Sequence, residues 1–287
     1  MKNSKQLIKF LGAMVMAMFL TNGLMAQDRI AYVSSTSEPY PWGQNALITN
    51  QMNMVFGAGM WEDLRFETVD PDELLSNDFC LIYMEGSSLG ASGMNSFIQA
   101  NMPEIEAYVN GGGRLLMNAA PNVGGNINMG FGGVVLQYPN LQNNVMAADP
   151  NHPIWAGPFT PTATNMQGNA YGHAVICPPG MVANPLIQGG GFDILVEYFY
   201  GSGLVMFGGM TTTNWHTPQP AADNIRMNIL DYLKKASLTG ERLKPLNNGT
   251  SVPTMTQWGL FLFGLIVLTI GVVAVYNVYT RSEELKA

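Results

Sequence analysis

Three sets of ionisable residues in this chain have types and positions that could support chemistry. Glu85 follows the apolar run Phe79–Met84, at the C-terminal end of what reads as a central strand, where open α/β sheets bind ligands. Asp149 and His152, in the segment D-P-N-H-P-I, set a carboxylate near an imidazole, and His216 with Asp223 repeats that combination. A carboxylate that orients an imidazole can activate a nucleophile or relay a proton, and Glu85 could serve beside it as acid or base. Each set also has a plainer reading. D-P-N-H-P-I reads as the start of a helix, with Asp149 or Asn151 capping and Pro153 in the first turn. His173, beside an apolar run, reads as a buried imidazole with its hydrogen bonds made.

Other chemistries find little to work with. Gly124-Gly125-Asn126-Ile127-Asn128 lacks the Lys and Ser/Thr of a phosphate loop. No G-x-S-x-G elbow occurs, and Ser87-Ser88 has no base beside it in the sequence. Neither C-x-x-C nor H-x-x-x-H spacing is present, so no metal and no cofactor is expected. Cys80 and Cys177, the only cysteines, could form a disulfide in an exported chain, or Cys80 could be a buried thiol in its apolar run. The 20 methionines raise copper capture, but most fall at apolar-periodic positions, where Met fills a core.

The elements that must position these residues are legible in part. Arg29–Ser34, Asp63–Val69, Phe79–Met84 and Arg114–Met117 read as strands. Gln44–Phe56, Phe97–Val109 and Ala222–Lys235 carry apolar residues at helical spacing, and Pro71–Leu75 opens a helical turn. Phe79–Met84, apolar throughout, fits a parallel strand covered on both faces. Gly111-Gly112-Gly113 ends the middle helix. Ile194–Tyr200 and Gly203–Phe207 read as a hairpin about Gly201-Ser202. Gly124–Gly133 reads as a loop, Val134–Tyr138 as a strand, and Asn140–Gln188, rich in Pro, Asn and Gly, mostly as loops and short strands. The alternation of strand and helix predicts a doubly wound, mostly parallel α/β sheet over residues 27–237.

The two ends read differently. Lys2, Lys5 and Lys9 precede the apolar run Phe10–Met25 and a small Ala26, the pattern of a signal peptide over residues 1–26. A polar linker at 238–251 leads to residues 252–287. There, 18 uncharged residues from Gly259 to Tyr276 lie between Trp258 and Tyr279, which predicts one transmembrane helix at about 258–279. The expectation is an exported, single-pass protein of the cell envelope with its folded part outside the cytoplasm. Its partners would then be the membrane, the export machinery with signal peptidase, and an unidentified envelope partner or ligand. The net charge is −7, and removing the three leader lysines makes it more negative. Such a surface repels phosphate backbones, which excludes nucleic acid as a partner.

Two resemblances follow. Val252-Pro253-Thr254-Met255 with Trp258-Gly259 resembles the I-P-T-L-x-x-W-G motif of the IPTL-type C-terminal sorting domain. That resemblance implies processing by an exosortase-like protease, although Glu283 and Glu284 offset Arg281 and Lys286 and the usual cluster of arginines is missing. The central part resembles class I glutamine amidotransferase-like proteins, ThuA-like relatives included. The matching segments are Phe97–Val109 with Gly111-Gly112-Gly113-Arg114-Leu115-Leu116-Met117, Asp149–Ile154, and Tyr200–Val205 with Asn224–Leu233. By that resemblance the nucleophile position falls at or near Ala119 in Asn118-Ala119-Ala120-Pro121, and the family's F-H-P-E stands here as Phe207-Gly208-Gly209-Met210. A methyl group cannot attack a carbonyl, so the resemblance implies a fold without glutaminase activity. The expected protein is a non-catalytic binding or scaffolding domain, with Glu85, His152 and His216 as its site residues. The competing expectation is a secreted ThuA-like hydrolase acting through Glu85, Asp149 and His152.

Overall fold

The computed structural model describes residues 29–76, 78–238 and Gly271. The leader at 1–26, the linker beyond Leu238, the motif Val252–Gly259 and the apolar run at 258–279 lie outside the described residues, Gly271 excepted. Among the described residues no helix is long and apolar enough to cross a membrane. The single-pass anchor, and the envelope localisation built on it, are corrected accordingly: the structure gives them no support. The chain divides into two compact units, Met1–Leu243 and Lys244–Ala287, and the elements below belong to the first.

In chain order these elements are β1 (Arg29–Ser34), α1 (Asn45–Phe56), β2 (Glu62–Arg65), α2 (Pro71–Leu74), β3 (Phe79–Glu85), α3 (Ala91–Asn110), β4 (Arg114–Asn118), β5 (Ile127–Gly130), β6 (Val134–Ala147), β7 (Asn165–Ile176), β8 (Asn184–Gly189), β9 (Phe192–Tyr200), β10 (Gly203–Gly208), β11 (His216–Thr217) and α4 (Ala221–Leu238). The strands join in one sheet ordered β11-β7-β6-β8-β9-β10-β4-β3-β1-β2, with β5 paired to β6.

The expected doubly wound, mostly parallel sheet is not what forms. Among the described residues four strand pairings are parallel, all within β10-β4-β3-β1-β2. Seven are antiparallel. Strands β6, β7, β9 and β8 pair in a closed circuit, a four-strand barrel. The physical reason is that Asn140–Gln188, expected to be mostly loops and short strands, carries the long β7, most of β6 and most of β8. Antiparallel strands need only short connections, whereas each parallel pair needs a long crossover.

The parallel strands are the ones whose burial was legible. All seven residues of β3 are buried, and helices cover the strands from both sides. On one side Ile48, Met52 and Val55 of α1 and Ile225, Ile229 and Leu233 of α4 meet Tyr32, Tyr83 and Leu116. On the other, Phe97, Ile98, Ile105 and Val109 of α3 meet Val33, Ile82, Met84 and Met117. Helix α3 is interrupted at Asn101, which leaves helical geometry two residues before Pro103, as the missing N–H and the ring of a proline require. Cys80 and Cys177 are both thiols, buried and half-buried respectively, and no disulfide joins them.

Candidate functional site

Strand β3 ends in a buried cluster built around Glu85, which is 3 % exposed. Residues two apart share a face of a strand, so Tyr83 and Glu85 both turn toward the layer of α1 and α4. Arg226, on the inward face of α4, meets them there. Its Nη1 donates to the Tyr83 hydroxyl at 2.6 Å, and that hydroxyl donates to Glu85 Oε2 at 2.5 Å. The guanidinium and the carboxylate themselves are 3.8 Å apart. From the neighbouring strand end, Asn118 Nδ2 donates to Glu85 Oε2 at 3.1 Å and to the Met210 carbonyl at 2.9 Å, while its Oδ1 accepts from the Met210 N–H at 3.0 Å. The Ser87 N–H donates to Glu85 Oε1 at 2.9 Å.

Every group aimed at Glu85 is a donor, which suits an ionised carboxylate, an acceptor only. Burial pushes the Glu85 pKa up, against the charge of Arg226 and the bonds from Ser87 and Tyr83. Burial also opposes the charge on Arg226, yet the pull of Tyr83 and Glu85 prevails and holds the guanidinium above its ordinary value. The result is a buried ion pair bridged by a phenol.

Little room is left above it. The cavity beside Glu85, Arg226, Gln51 and Trp42 measures about 10 Å³, enough for roughly one water. Trp42 in its wall, and Ser88 next to the lining residue Ser87, have φ of +52° and +55°, a conformation uncommon for residues with side chains. The Trp215 ring lies on Trp42 with centroids 4.7 Å apart. The turn after β4 is closed as well: Ala119 and Ala120 are fully buried. The Ala119 N–H donates to the Gly208 carbonyl at 2.9 Å, and the Ala120 N–H to Ser87 Oγ at 2.9 Å.

Of the residues expected at the site, Glu85 and His216 share one network and His152 belongs to another. His216 stacks on Tyr171 with centroids 4.0 Å apart, and its Nε2 is 2.9 Å from Thr211 Oγ1. The Thr211 hydroxyl also lies against the Ala170 carbonyl, to which it donates. The Thr211 carbonyl accepts from Arg226 Nη2 at 3.1 Å, which links the histidine indirectly to Glu85. His152 instead faces Glu197 of β9, at 3.3 Å, with the Tyr232 ring 4.8 Å away. The helix start expected around it is real but its cap is His152 itself, whose Nδ1 accepts from the Ile154 N–H at 3.4 Å. Asp149 accepts from the Asn151 N–H at 2.9 Å, and Asp223 from Thr213. His173 is buried, with no partner for Nδ1. Among the described residues no group of three or more His, Cys, Asp or Glu could hold a metal ion.

Tyr83, Asn118 and Arg226 were not singled out from the sequence. The signal for Arg226 was available: it falls within the apolar face Ala222, Ile225, Ile229, Leu233, and a charge on such a face needs a buried partner.

His216 gives a testable pH dependence. Burial, then the charge of Arg226, lowers its pKa to about 3, against an ordinary value near 6.5. Between these values the unfolded chain binds a proton that the folded one does not, so stability falls as pH drops below about 6.5. From pH 7.5 to pH 5 this amounts to roughly 2 kcal/mol. Glu85, with its pKa raised, acts in the opposite sense. Replacing His216 with Gln should therefore shrink the stability difference between the two pH values by about that amount, read from urea unfolding at each. An unchanged difference would show that His216 takes up its proton equally in the folded and unfolded states.

No protein-family profile matches the chain, and no curated protein does. Solved structures similar to it include a ThuA-like protein from Bacteroides uniformis, at 12 % identity and a TM-score of 0.45, covering 74 % of this chain and 93 % of that one. The cytoplasmic protein STM3548 from Salmonella typhimurium is similar at 15 % identity and a TM-score of 0.43, covering 71 % and 98 %. A β-galactosidase from Rahnella sp. R3 is similar at 12 % identity and a TM-score of 0.42; the match covers 80 % of this chain but 35 % of the enzyme.

Proposed function

We propose that residues 29–238 form a non-catalytic binding or scaffolding domain of amidotransferase-like, ThuA-like character. The observation that carries this reading is the closed state of the strand-end cleft. Glu85 is committed to Tyr83, Ser87 and Asn118, and the adjoining space admits about one water. Ala119 stands where the resemblance sets the nucleophile, and Gly208-Gly209-Met210 where it sets the base and its orienter. A hydrolase acting through Glu85, Asp149 and His152 would need those groups around one substrate bond. Glu85 and His152 instead serve separate clusters, and Asp149 holds a turn.

The test is a hydrolase screen of the purified chain with ester, amide and glycoside substrates, run beside Glu85→Gln. The expected result is no turnover above the level of that variant. A substrate whose kcat/KM falls about 100-fold or more in Glu85→Gln, with the fold intact by circular dichroism, would overturn the proposal, since losses of that size attend removal of an acid–base group.

A further inference from the structure

A second opening lies on the antiparallel half, away from Glu85. It is a groove of about 630 Å³ across β6 and β7, walled by the turn after β8 and by β11, a volume within the range of ligand sites. The register sets Asn144 against Gln167 and Met146 against Asn165, and Thr217 against Gln167. Strand alternation exposes these four β6 and β7 residues while Val145 and Met166 between them are buried. Gly190, at φ +59°, forms part of the wall, and a Cβ there would lie 2.0 Å from Gln142 Oε1.

The chemistry of the lining is selective. It contains three carboxamides, a hydroxyl and methionines, but no ionisable side chain and no aromatic ring. A charged ligand would lose hydration here without a counter-charge, and a sugar ring would find no aromatic face to lie on. Strand addition to the floor is restricted, because β8 pairs the outer edge of β6 at Met146 and Ala147, and β11 that of β7 at Gln167 and Gly168. What remains is side-chain recognition. A carboxamide offers two donors and an acceptor, which matches the N–H and C=O of one peptide unit. Asn165 and Gln167, two residues apart on one strand, are separated by roughly 7 Å, the repeat at which an extended peptide presents like-facing backbone groups. Met146, 57 % exposed, supplies a deformable apolar contact that tolerates varied side chains.

We propose that this groove binds an extended peptide segment free of charged side chains, held through its backbone by Asn144, Asn165 and Gln167. The assignment rests on reading the domain as a binder, and it names the surface that binds.

The probe is a synthetic set of 12-residue peptides in matched neutral, acidic and basic versions, with neutral glucan oligosaccharides alongside, titrated into the full chain. Neutral peptides should bind in the micromolar range and charged versions more weakly. The exposed double substitution Asn165→Ala with Gln167→Ala should weaken binding about tenfold or more, the loss expected for two hydrogen bonds. Failure of every neutral peptide to bind below millimolar concentration, indifference to the double substitution, or oligosaccharide binding that depends on the same two residues would overturn the assignment. Mass spectrometry of the peptides after titration separates the two proposals. Intact peptides without binding sink the groove alone, whereas cleavage abolished by Glu85→Gln sinks the non-catalytic reading.

Discussion

Replacing Arg226 with Met should lower the unfolding free energy by about 3–5 kcal/mol, the cost of leaving a buried carboxylate without its partner. Arg226 and Glu85 are each 3 % exposed, so solvent cannot take over the role of the missing guanidinium. The Tyr83 hydroxyl, which accepts from Arg226 and donates to Glu85, would keep only its donor bond. The double substitution Arg226→Met with Glu85→Gln should recover most of the loss, because the charge that needed compensation has gone. The two substitutions would then be non-additive by 2 kcal/mol or more, measured by urea unfolding at pH 7.5. The single-variant deficit has a defined pH sense. Without Arg226 the Glu85 pKa rises further, the folded state holds a proton that the unfolded state releases, and the deficit grows as pH rises. A cost below about 1 kcal/mol for Arg226→Met would mean that Glu85 is already protonated in the native protein. In that case the donor network around it would need redrawing.

The parallel part of the fold was legible because its burial is two-sided and its sequence consequently has long apolar runs. Phe79–Met84 could be nothing but an interior strand, and the Gly201-Ser202 turn fixed the β9–β10 hairpin. The antiparallel part was hidden for the opposite reason. Strand β6 contains Asn140, Asn143 and Asn144, and β7 contains Gly168, Asn169 and Gly172, residue types that strands disfavour. These strands hold because neighbours saturate their backbones on both sides, a tertiary effect that local propensity does not register. Asn144 belongs to both sets: it disguises β6 and it lines the proposed groove.

The strand-end cluster was half legible. Glu85 stood out by its position, but its meaning depended on partners far along the chain. Asn118 lies in a turn that resemblance marks only by what it lacks, and Arg226 sits in a helix read for its apolar face. His152 was set beside Glu85 by residue type alone. Its actual partner, Glu197, lies in a strand whose register depends on closure of the barrel, which local sequence does not encode.

Gly209 shows how tightly the seam between the parallel strands and the barrel is packed. Its N–H donates to the Ile194 carbonyl at 2.9 Å and its carbonyl accepts from the His173 N–H at 2.7 Å, so it joins the end of β10 to both β9 and β7. A Cβ at this position would lie 2.0 Å from the His173 carbonyl oxygen and 2.8 Å from its carbon. Those are backbone atoms of a paired strand, and no rotamer change relieves the contact. Gly209→Ala should therefore cost about 3 kcal/mol or more, at the upper end for overpacking, and lower Tm by roughly 6–12 °C. Thermal unfolding of the variant measures it, and a loss under 1 kcal/mol would show that β7 can shift away from β10. The preceding residue has a related constraint, since a Cβ at Gly208 would meet the Asn118 side-chain oxygen at 2.8 Å. An imidazole placed there would have to displace the amide that holds Glu85. Atoms of β4 and β7 already fill the space a side chain at Gly208 or Gly209 would need, and they are the atoms that join the parallel strands to the barrel.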